Sequence, residues 1–283
     1  MQRIASVGIL GLGRMGLPMG RHLIRAGFTV CGFDPRAAQR SALSDAGGVA
    51  LRSAGAVAGQ SEVVLIMVAD DAQVKDVTVG PDGVLKASKP GTVLIIASTV
   101  KPSTCREVAA VAEKRGVKVL DAPVARGQRA AEEGTLTVFA GGERTTFERC
   151  RPIFDAFGKE VVHIDEHVGS GQVAKLVNNL ILWAGVVAVH ESLALAERLG
   201  VSPSRLRAAL QHGSADSYAL RELHLVNLTW PHKDLEQVSE VAAEAGTDLP
   251  LAKCVEALIR TLTREELRRL TDSPQDTTRT RTE

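Results

Sequence analysis

Residues 4–16 read Ile4-Ala5-Ser6-Val7-Gly8-Ile9-Leu10-Gly11-Leu12-Gly13-Arg14-Met15-Gly16. An apolar run of strand length meets glycines at positions 11, 13 and 16, and residues 15–26 continue with helical period. The spacing G-x-G-x-x-G is weak evidence alone, but between a strand and a helix each glycine acquires a task. Gly11 permits the tight turn, Gly13 lets the backbone approach a pyrophosphate, and Gly16 brings helix and strand together. The helix N-terminus adds its free N–H groups and the positive end of its dipole. The stretch predicts a dinucleotide-binding unit in which Gly11, Leu12, Gly13, Arg14, Met15 and Gly16 border the cofactor.

Asp34 closes the next apolar run, residues 28–33, eighteen residues after Gly16 (34 − 16). That is near the ~20-residue spacing of the acid that accepts from a ribose 2′-OH. A carboxylate there repels a 2′-phosphate, so the expected cofactor is NAD. NADP is the alternative, because Arg36 stands two residues on and can pair with phosphate. A turn residue before Pro35 is the competing reading of Asp34.

Further out, Val- and Ile-rich runs at 4–9, 28–33, 62–68, 92–97, 117–120, 136–140 and 160–164 alternate with helical segments such as 15–26, 35–46, 101–115 and 145–157. Strands alternating with helices mean a doubly wound parallel sheet. From Gln172 the pattern changes to one long helix ending near Gly200, apolar on most of its surface and so buried on several sides. Helical segments follow at 203–211, 217–228, 234–245 and 251–262 with no strand signal. The expected fold class is α/β Rossmann in an N-terminal domain, residues 1–164, plus an all-α C-terminal domain, residues 165–270, for substrate binding and dimerisation. Residues 271–283 hold no apolar side chain to bury and read as a disordered tail.

With 34 Lys and Arg against 33 Asp and Glu, and only 6 Phe, 2 Trp and 1 Tyr, the chain lacks the basic patches and stacking aromatics of a nucleic-acid binder. Cys31, Cys105, Cys150 and Cys254 lie far apart, and the seven histidines show no ligand spacing, so no metal site is expected. No stretch reads as a signal peptide, and the uncharged residues 176–189 fall short of the ~20 that a bilayer needs. A cytoplasmic protein that engages no membrane is the expectation.

Four blocks carry a family likeness: the glycine fingerprint with Met15; Ser98-Thr99-x-x-Pro102; Asp121-Ala122-Pro123-Val124 with Ala131-Glu132-Glu133-Gly134-Thr135-Leu136; and Gly169-Ser170-Gly171-Gln172-Val173-Ala174-Lys175-Leu176-Val177-Asn178-Asn179. Together they resemble the β-hydroxyacid dehydrogenases, the family of 3-hydroxyisobutyrate dehydrogenase and tartronate semialdehyde reductase, over roughly residues 4–260. The resemblance implies that Lys175 is the catalytic lysine and Asn179 its substrate-orienting companion. Nicotinamide would take hydride from the carbon bearing the hydroxyl while Lys175 takes the hydroxyl proton. Residues four apart share a helix face, and desolvation lowers an amine's pKa towards the working pH of a proton carrier. The competing reading is a lysine whose head simply reaches water. The resemblance also implies that Val68 and Thr99 lie beside the nicotinamide end and that Lys233 covers the cofactor, the last competing with a plain surface lysine. Around the substrate it places Ser98, Val124, Ala125, Arg126 and Gly127 with Lys175 and Asn179.

The family's substrate loop usually reads Asp-Ala-Pro-Val-Ser-Gly-Gly, whereas here Ala125 and Arg126 replace the serine and the first glycine. The guanidinium is a forked donor for a carboxylate unless it turns to solvent. Residues 217–233 also look short for the family. The expected activity is hydride transfer between NAD and a small β-hydroxy acid or its semialdehyde, by a homodimer or higher homo-oligomer. An imine reductase on the same scaffold and an impaired cofactor-binding scaffold are the alternatives.

Overall fold

The structure is a computed structural model, which describes residues 4–271. It divides after Lys175 into two compact units. The expected boundary at 164/165 precedes that point, which lies inside the long helix.

The first unit runs β1 Ser6–Leu10, α1 Gly16–Arg25, β2 Thr29–Phe33, α2 Ala37–Asp45, β3 Val49–Ala50, α3 Ala54–Gly59, β4 Val63–Ile66, α4 Asp71–Val79, α5 Val84–Ala87, β5 Val93–Ile96, α6 Pro102–Glu113, β6 Lys118–Asp121, β7 Val124–Ala125, α7 Gly127–Glu133, β8 Leu136–Gly141, α8 Arg144–Asp155 and β9 Gly158–Asp165. It ends on the first residues of α9, Ser170–Arg198. The strands form one sheet in the order β3-β2-β1-β4-β5-β6-β8-β7, with β9 on β8. β1 pairs in parallel with both β2 and β4, so the strand order reverses at β1/β4, where doubly wound sheets open a ligand crevice at their carboxyl ends.

Every residue of β4 and β5 is buried, which needs helices on both faces. Alternate side chains feed two cores. Val7, Ile9, Leu65 and Ile95 pack with Met19, Leu23, Phe147 and Phe154, and Val64, Ile66, Leu94 and Ile96 pack with Val57, Val74 and Val108. Each such side chain contributes about 1.5–3 kcal/mol by leaving water. The sheet is not parallel throughout as the sequence suggested: β8 runs antiparallel to β6 and β7. The link from β7 to β8 holds only the seven-residue α7, too little chain for a parallel return.

The second unit continues α9 and adds α10 Pro203–Leu210, α11 Tyr218–Arg221, α12 Pro231–Glu244, α13 Pro250–Ile259 and α14 Arg264–Arg269. Proline opens α10, α12 and α13 within the first turn, where its missing N–H costs nothing. Trp183, Val186 and Leu193 of α9 pack against Leu223, Leu235, Val255 and Ile259, and Trp183 Nε1 donates to Asp234 at 3.0 Å. At 29 residues α9 is, by length and composition, long and apolar enough to cross a bilayer, and a third of its apolar stretch is buried; the uncharged part, residues 176–189, is shorter than a bilayer needs.

The helix expected over 217–228 is broken into α11 and a single 3₁₀ turn, Leu223–Leu225. Beyond it Val226 is extended and Thr229 Oγ1 donates to Asn227 at 2.6 Å. Val, Asn and Thr form helices poorly, and side-chain bonds of this kind compete with the helical ladder. The expected tail lies outside the described residues except for Thr271, which is buried.

Candidate functional site

Two glycines of the turn are required by their surroundings and one is not. Gly11 has φ +89°, and a β-carbon on it would stand 2.2 Å from the Met67 carbonyl oxygen, while one on Gly16 would stand 1.9 Å from the Gly11 carbonyl. Both positions are closed by backbone. Gly13 differs: among the described residues the one heavy atom within 4 Å of its missing β-carbon is Nη2 of Arg36 at 3.6 Å. α1 begins without a side-chain cap and with no acidic residue in its first turn, so no carboxylate of that turn opposes an anion at its N-terminus. A bare backbone at Gly13 facing an uncapped helix fits a dinucleotide pyrophosphate, and Gly11 to Gly16 would hold it.

Asp34 stands just beyond β2, 3% exposed, and its carboxylate is already engaged. Leu12 N–H donates to it at 2.9 Å. The Arg36 guanidinium grips it at 2.8 and 2.9 Å, and Arg36 N–H donates at 3.0 Å. Burial opposes ionisation, but the Arg36 fork and the N–H groups of Arg36 and Leu12 outweigh it and hold the carboxyl below its usual value. The sequence placed Arg36 as a partner for phosphate; here it is the partner of Asp34. A bidentate Arg two residues from an Asp at a strand end was the available signal.

Past β4 and β5 the loops are tied together. Ser98, 1% exposed, accepts from Val68 N–H at 2.8 Å and donates to the Val68 carbonyl at 2.9 Å. Its hydroxyl thus serves the backbone of a second expected site residue. Thr99 follows, flanked by two backbone groups that both bond to Gln172: the Gln172 amide donates to Ser98 O at 2.8 Å and accepts from Val100 N–H at 3.1 Å. Asp121 at the tip of β6 is fully buried and accepts from Gly169 N–H at 2.6 Å and Gln172 N–H at 2.7 Å. Burial raises its pKa, and those N–H bonds only partly counter the rise. Sequence reading placed Asp121 and Gln172 in family blocks without giving either a contact, because their partners lie 51 and 72–74 residues apart.

In the substrate loop, Val124 and Ala125 are buried in β7. Arg126 and Gly127 are exposed. Arg126 has φ +83°, the single positive φ on a non-glycine among the described residues, at the position where the family carries glycine. The left-handed conformation costs an L-residue roughly 1–2 kcal/mol. Lys175 is half-buried, and Asn179 lies one turn further along α9, 2% exposed. Asn179 Oδ1 accepts from Asn178 at 3.2 Å, and its Nδ2 has no partner among the described residues. Lys233 sits in the first turn of α12, in the second unit. Among the described residues no group of three His, Cys, Asp or Glu side chains could hold a metal ion.

Residues 6–165 match the NAD-binding domain of 6-phosphogluconate dehydrogenase, and residues 169–274 match the NAD-binding domain of NADP-dependent 3-hydroxyisobutyrate dehydrogenase. The chain is 33% identical over 262 residues to 2-(hydroxymethyl)glutarate dehydrogenase of Eubacterium barkeri, covering 89% of this chain and 87% of that one. It is 31% identical over 280 residues to the NAD-dependent L-serine dehydrogenase of Pseudomonas aeruginosa, covering 92% of each. The solved structure of Mycobacterium tuberculosis 3-hydroxyisobutyrate dehydrogenase with L-serine superposes with a TM-score of 0.86 at 28% identity, over 95% of this chain and all of that one. A mostly parallel dinucleotide-binding sheet, a helical second unit and these matches end to end make the chain a member of the β-hydroxyacid dehydrogenase family, 3-hydroxyisobutyrate dehydrogenase-like, and an NAD(P)-dependent oxidoreductase acting on the CH–OH group of hydroxy acids.

Proposed function

We propose that the chain interconverts a small β-hydroxy acid and its semialdehyde, with Lys175 carrying the hydroxyl proton and Asn179 orienting the substrate. The observation that carries this reading is the buried Nδ2 of Asn179, without a partner among the described residues, one helical turn along α9 from Lys175. A buried donor without an acceptor costs about 1–3 kcal/mol, and a substrate oxygen removes that cost. The bound cofactor supplies hydride acceptance or donation. Lys175 Nζ takes the proton from the alcohol oxygen in oxidation and returns it in reduction, and Asn179 Nδ2 donates to a substrate oxygen and fixes the reacting carbon. A panel of β-hydroxy acids and semialdehydes, followed by absorbance of reduced nicotinamide with NAD and NADP in parallel, tests it. Turnover of none of them by a chain that still binds cofactor overturns the reading and leaves a cofactor-binding scaffold.

NAD is the proposed preference, because a carboxylate at the end of the second strand of such a unit would repel a 2′-phosphate. Asp34→Asn should shift the NAD-to-NADP ratio of kcat/KM towards NADP by about 10-fold or more, as expected for a charged hydrogen bond worth roughly 1.5–3 kcal/mol. An unmodified enzyme that already prefers NADP refutes this and makes Arg36 the selecting residue.

Arg126 is the proposed clamp for the substrate carboxylate. Arg126→Gly should raise KM for an acidic substrate by about 10-fold or more, through the lost charged bonds. It should also raise thermal stability, since glycine relieves about 1 kcal/mol of left-handed strain. Equal KM changes for matched acidic and neutral substrates would remove the clamp. The exposed stripe Val173, Val177 and Ile181 on α9, 47%, 53% and 67% exposed, supports assembly as a homodimer or higher oligomer.

A further inference from the structure

We propose that Gln172, seated by Asp121, is a positioning residue for catalysis: it locks the Thr99 loop to the first turn of the helix that carries Lys175, so that the two arms of the site keep one fixed spacing. This rests on the reading of Lys175 given above. Four bonds make the lock, all within the first unit. Asp121 receives Gly169 N–H at 2.6 Å and Gln172 N–H at 2.7 Å, which pins the start of α9 to the tip of β6. The Gln172 amide then reaches the tip of β5, donating to Ser98 O at 2.8 Å and accepting from Val100 N–H at 3.1 Å. Bonding the carbonyl before Thr99 and the N–H after it is what a neighbouring parallel strand does to the residue it flanks. One side chain thus extends the sheet's pairing into the helix, with Thr99 held in the middle.

The junction leaves no slack. A β-carbon on Gly171 would stand 2.3 Å from Phe139 O and 2.9 Å from Asp121 Oδ2, and one on Gly141 would stand 2.6 Å from Asp121 Oδ1. Gly169 turns with φ +104°. The small residues of Gly169-Ser170-Gly171-Gln172 are there so that α9 can close on Asp121, and Lys175 follows Gln172 by three residues, less than one turn. Through Ser98 the tie continues to Val68. The tips of β4, β5 and β6 and the start of α9 are therefore linked by one buried polar chain. Gln172 is wholly buried, so it acts through what it holds and not by touching substrate.

Gln172→Met removes both bonds at similar volume. It should lower kcat by about 10- to 100-fold, as a misplacement near 1 Å can, with a smaller loss, under about 10-fold, in affinity for reduced cofactor read by nicotinamide fluorescence, because the glycine turn is untouched and only the loop at the nicotinamide end is released. Gln172→Glu supplies the signature that a merely structural role would lack. Its neutral acid can still donate to Ser98 O and accept from Val100 N–H, but its carboxylate can only repel Ser98 O. Its kcat should therefore be near wild type at low pH and fall through an ionisation that neither wild type nor Gln172→Met shows. The titratable and charged groups at this cluster are Asp121 on β6, which accepts from Gln172 N–H, and Cys105 on α6, on whose thiol Asp71 at the start of α4 and Arg106 on α6 also act. Burial pushes the Cys105 thiol far up, Asp121 and Asp71 add to the rise, and Gln172 itself bonds to the thiol.

Gln172→Met with wild-type kcat per folded enzyme, or Gln172→Glu with the wild-type pH profile, overturns the proposal. If Gln172→Met does not fold, the Gln172→Glu profile decides. Lys175→Ala run beside them separates the two readings. Full activity in Lys175→Ala overturns the lysine's role and the positioning with it, whereas an inactive Lys175→Ala beside a fully active Gln172→Met overturns the positioning alone.

Discussion

Lys175→Ala is expected to lose about 10²–10⁴-fold in kcat, the contribution of a positioned general acid–base group, while its dissociation constant for NADH stays within a few-fold of wild type. Lys175 lies in α9, and its replacement leaves the Gly11–Gly16 turn and Asp34, the residues proposed to hold the cofactor's pyrophosphate and ribose, unchanged. Lys175→Arg sharpens the test. A guanidinium keeps the charge but does not release its proton at any working pH. If the lysine acts by proton transfer, the arginine variant is as slow as the alanine variant. If it acts only as a fixed positive charge, arginine recovers most of the rate. Steady-state kinetics on both variants, with cofactor affinity measured separately, decide between them, and wild-type turnover in Lys175→Ala ends the assignment.

What could be read from the sequence was whatever is written in local order. The Val/Ile-rich runs at 62–68 and 92–97 announced strands, and the fold buries Val63–Ile66 and Val93–Ile96 throughout, because a doubly covered strand admits little but apolar residues. The fingerprint was legible because its spacing is local: Gly16 meets the Gly11 carbonyl within the turn, and Gly11 meets Met67 just past the end of the neighbouring β4. What escaped were pairings whose partners are remote. The reversal of β8 against β6 depends on how little chain joins β7 to β8. The break after Leu225 depends on Val226, Asn227 and Thr229 outweighing an apolar period that alone favoured a helix through residue 228. Gln172 looked like an ordinary polar residue in a helix start; only the fold shows that Ser98 and Val100 meet both ends of its amide.

Gly16→Ala and Gly13→Ala should part company, although both replace a fingerprint glycine with the smallest side chain. At Gly16 the new methyl group would lie 1.9 Å from the Gly11 carbonyl oxygen and 3.6 Å from the Met67 β-carbon. The obstacle at the shorter distance is backbone, so no rotamer change relieves it. Either α1 moves off β1, opening the core around Met19, Leu23 and Ile9, or the turn at Gly11 is rebuilt. Either route costs on the order of 3 kcal/mol or more, beyond the usual range for overpacking, and lowers Tm by about 10 °C for a domain of this size. At Gly13 the nearest atom is the end of the flexible Arg36 side chain at 3.6 Å. There the methyl group meets no fixed atom in the free protein, and Tm should stay within about 2 °C. It does fill the space that a pyrophosphate needs in order to reach the backbone, so Gly13→Ala should weaken cofactor binding by about 100-fold, the loss of two or so phosphate hydrogen bonds. Thermal melts with and without NADH read both effects at once. Gly16→Ala falls in stability before any cofactor is added, whereas Gly13→Ala melts normally and gains little from NADH. A Gly13→Ala protein stabilised by NADH as strongly as wild type would mean that the pyrophosphate does not lie on this turn, whatever the spacing of its glycines.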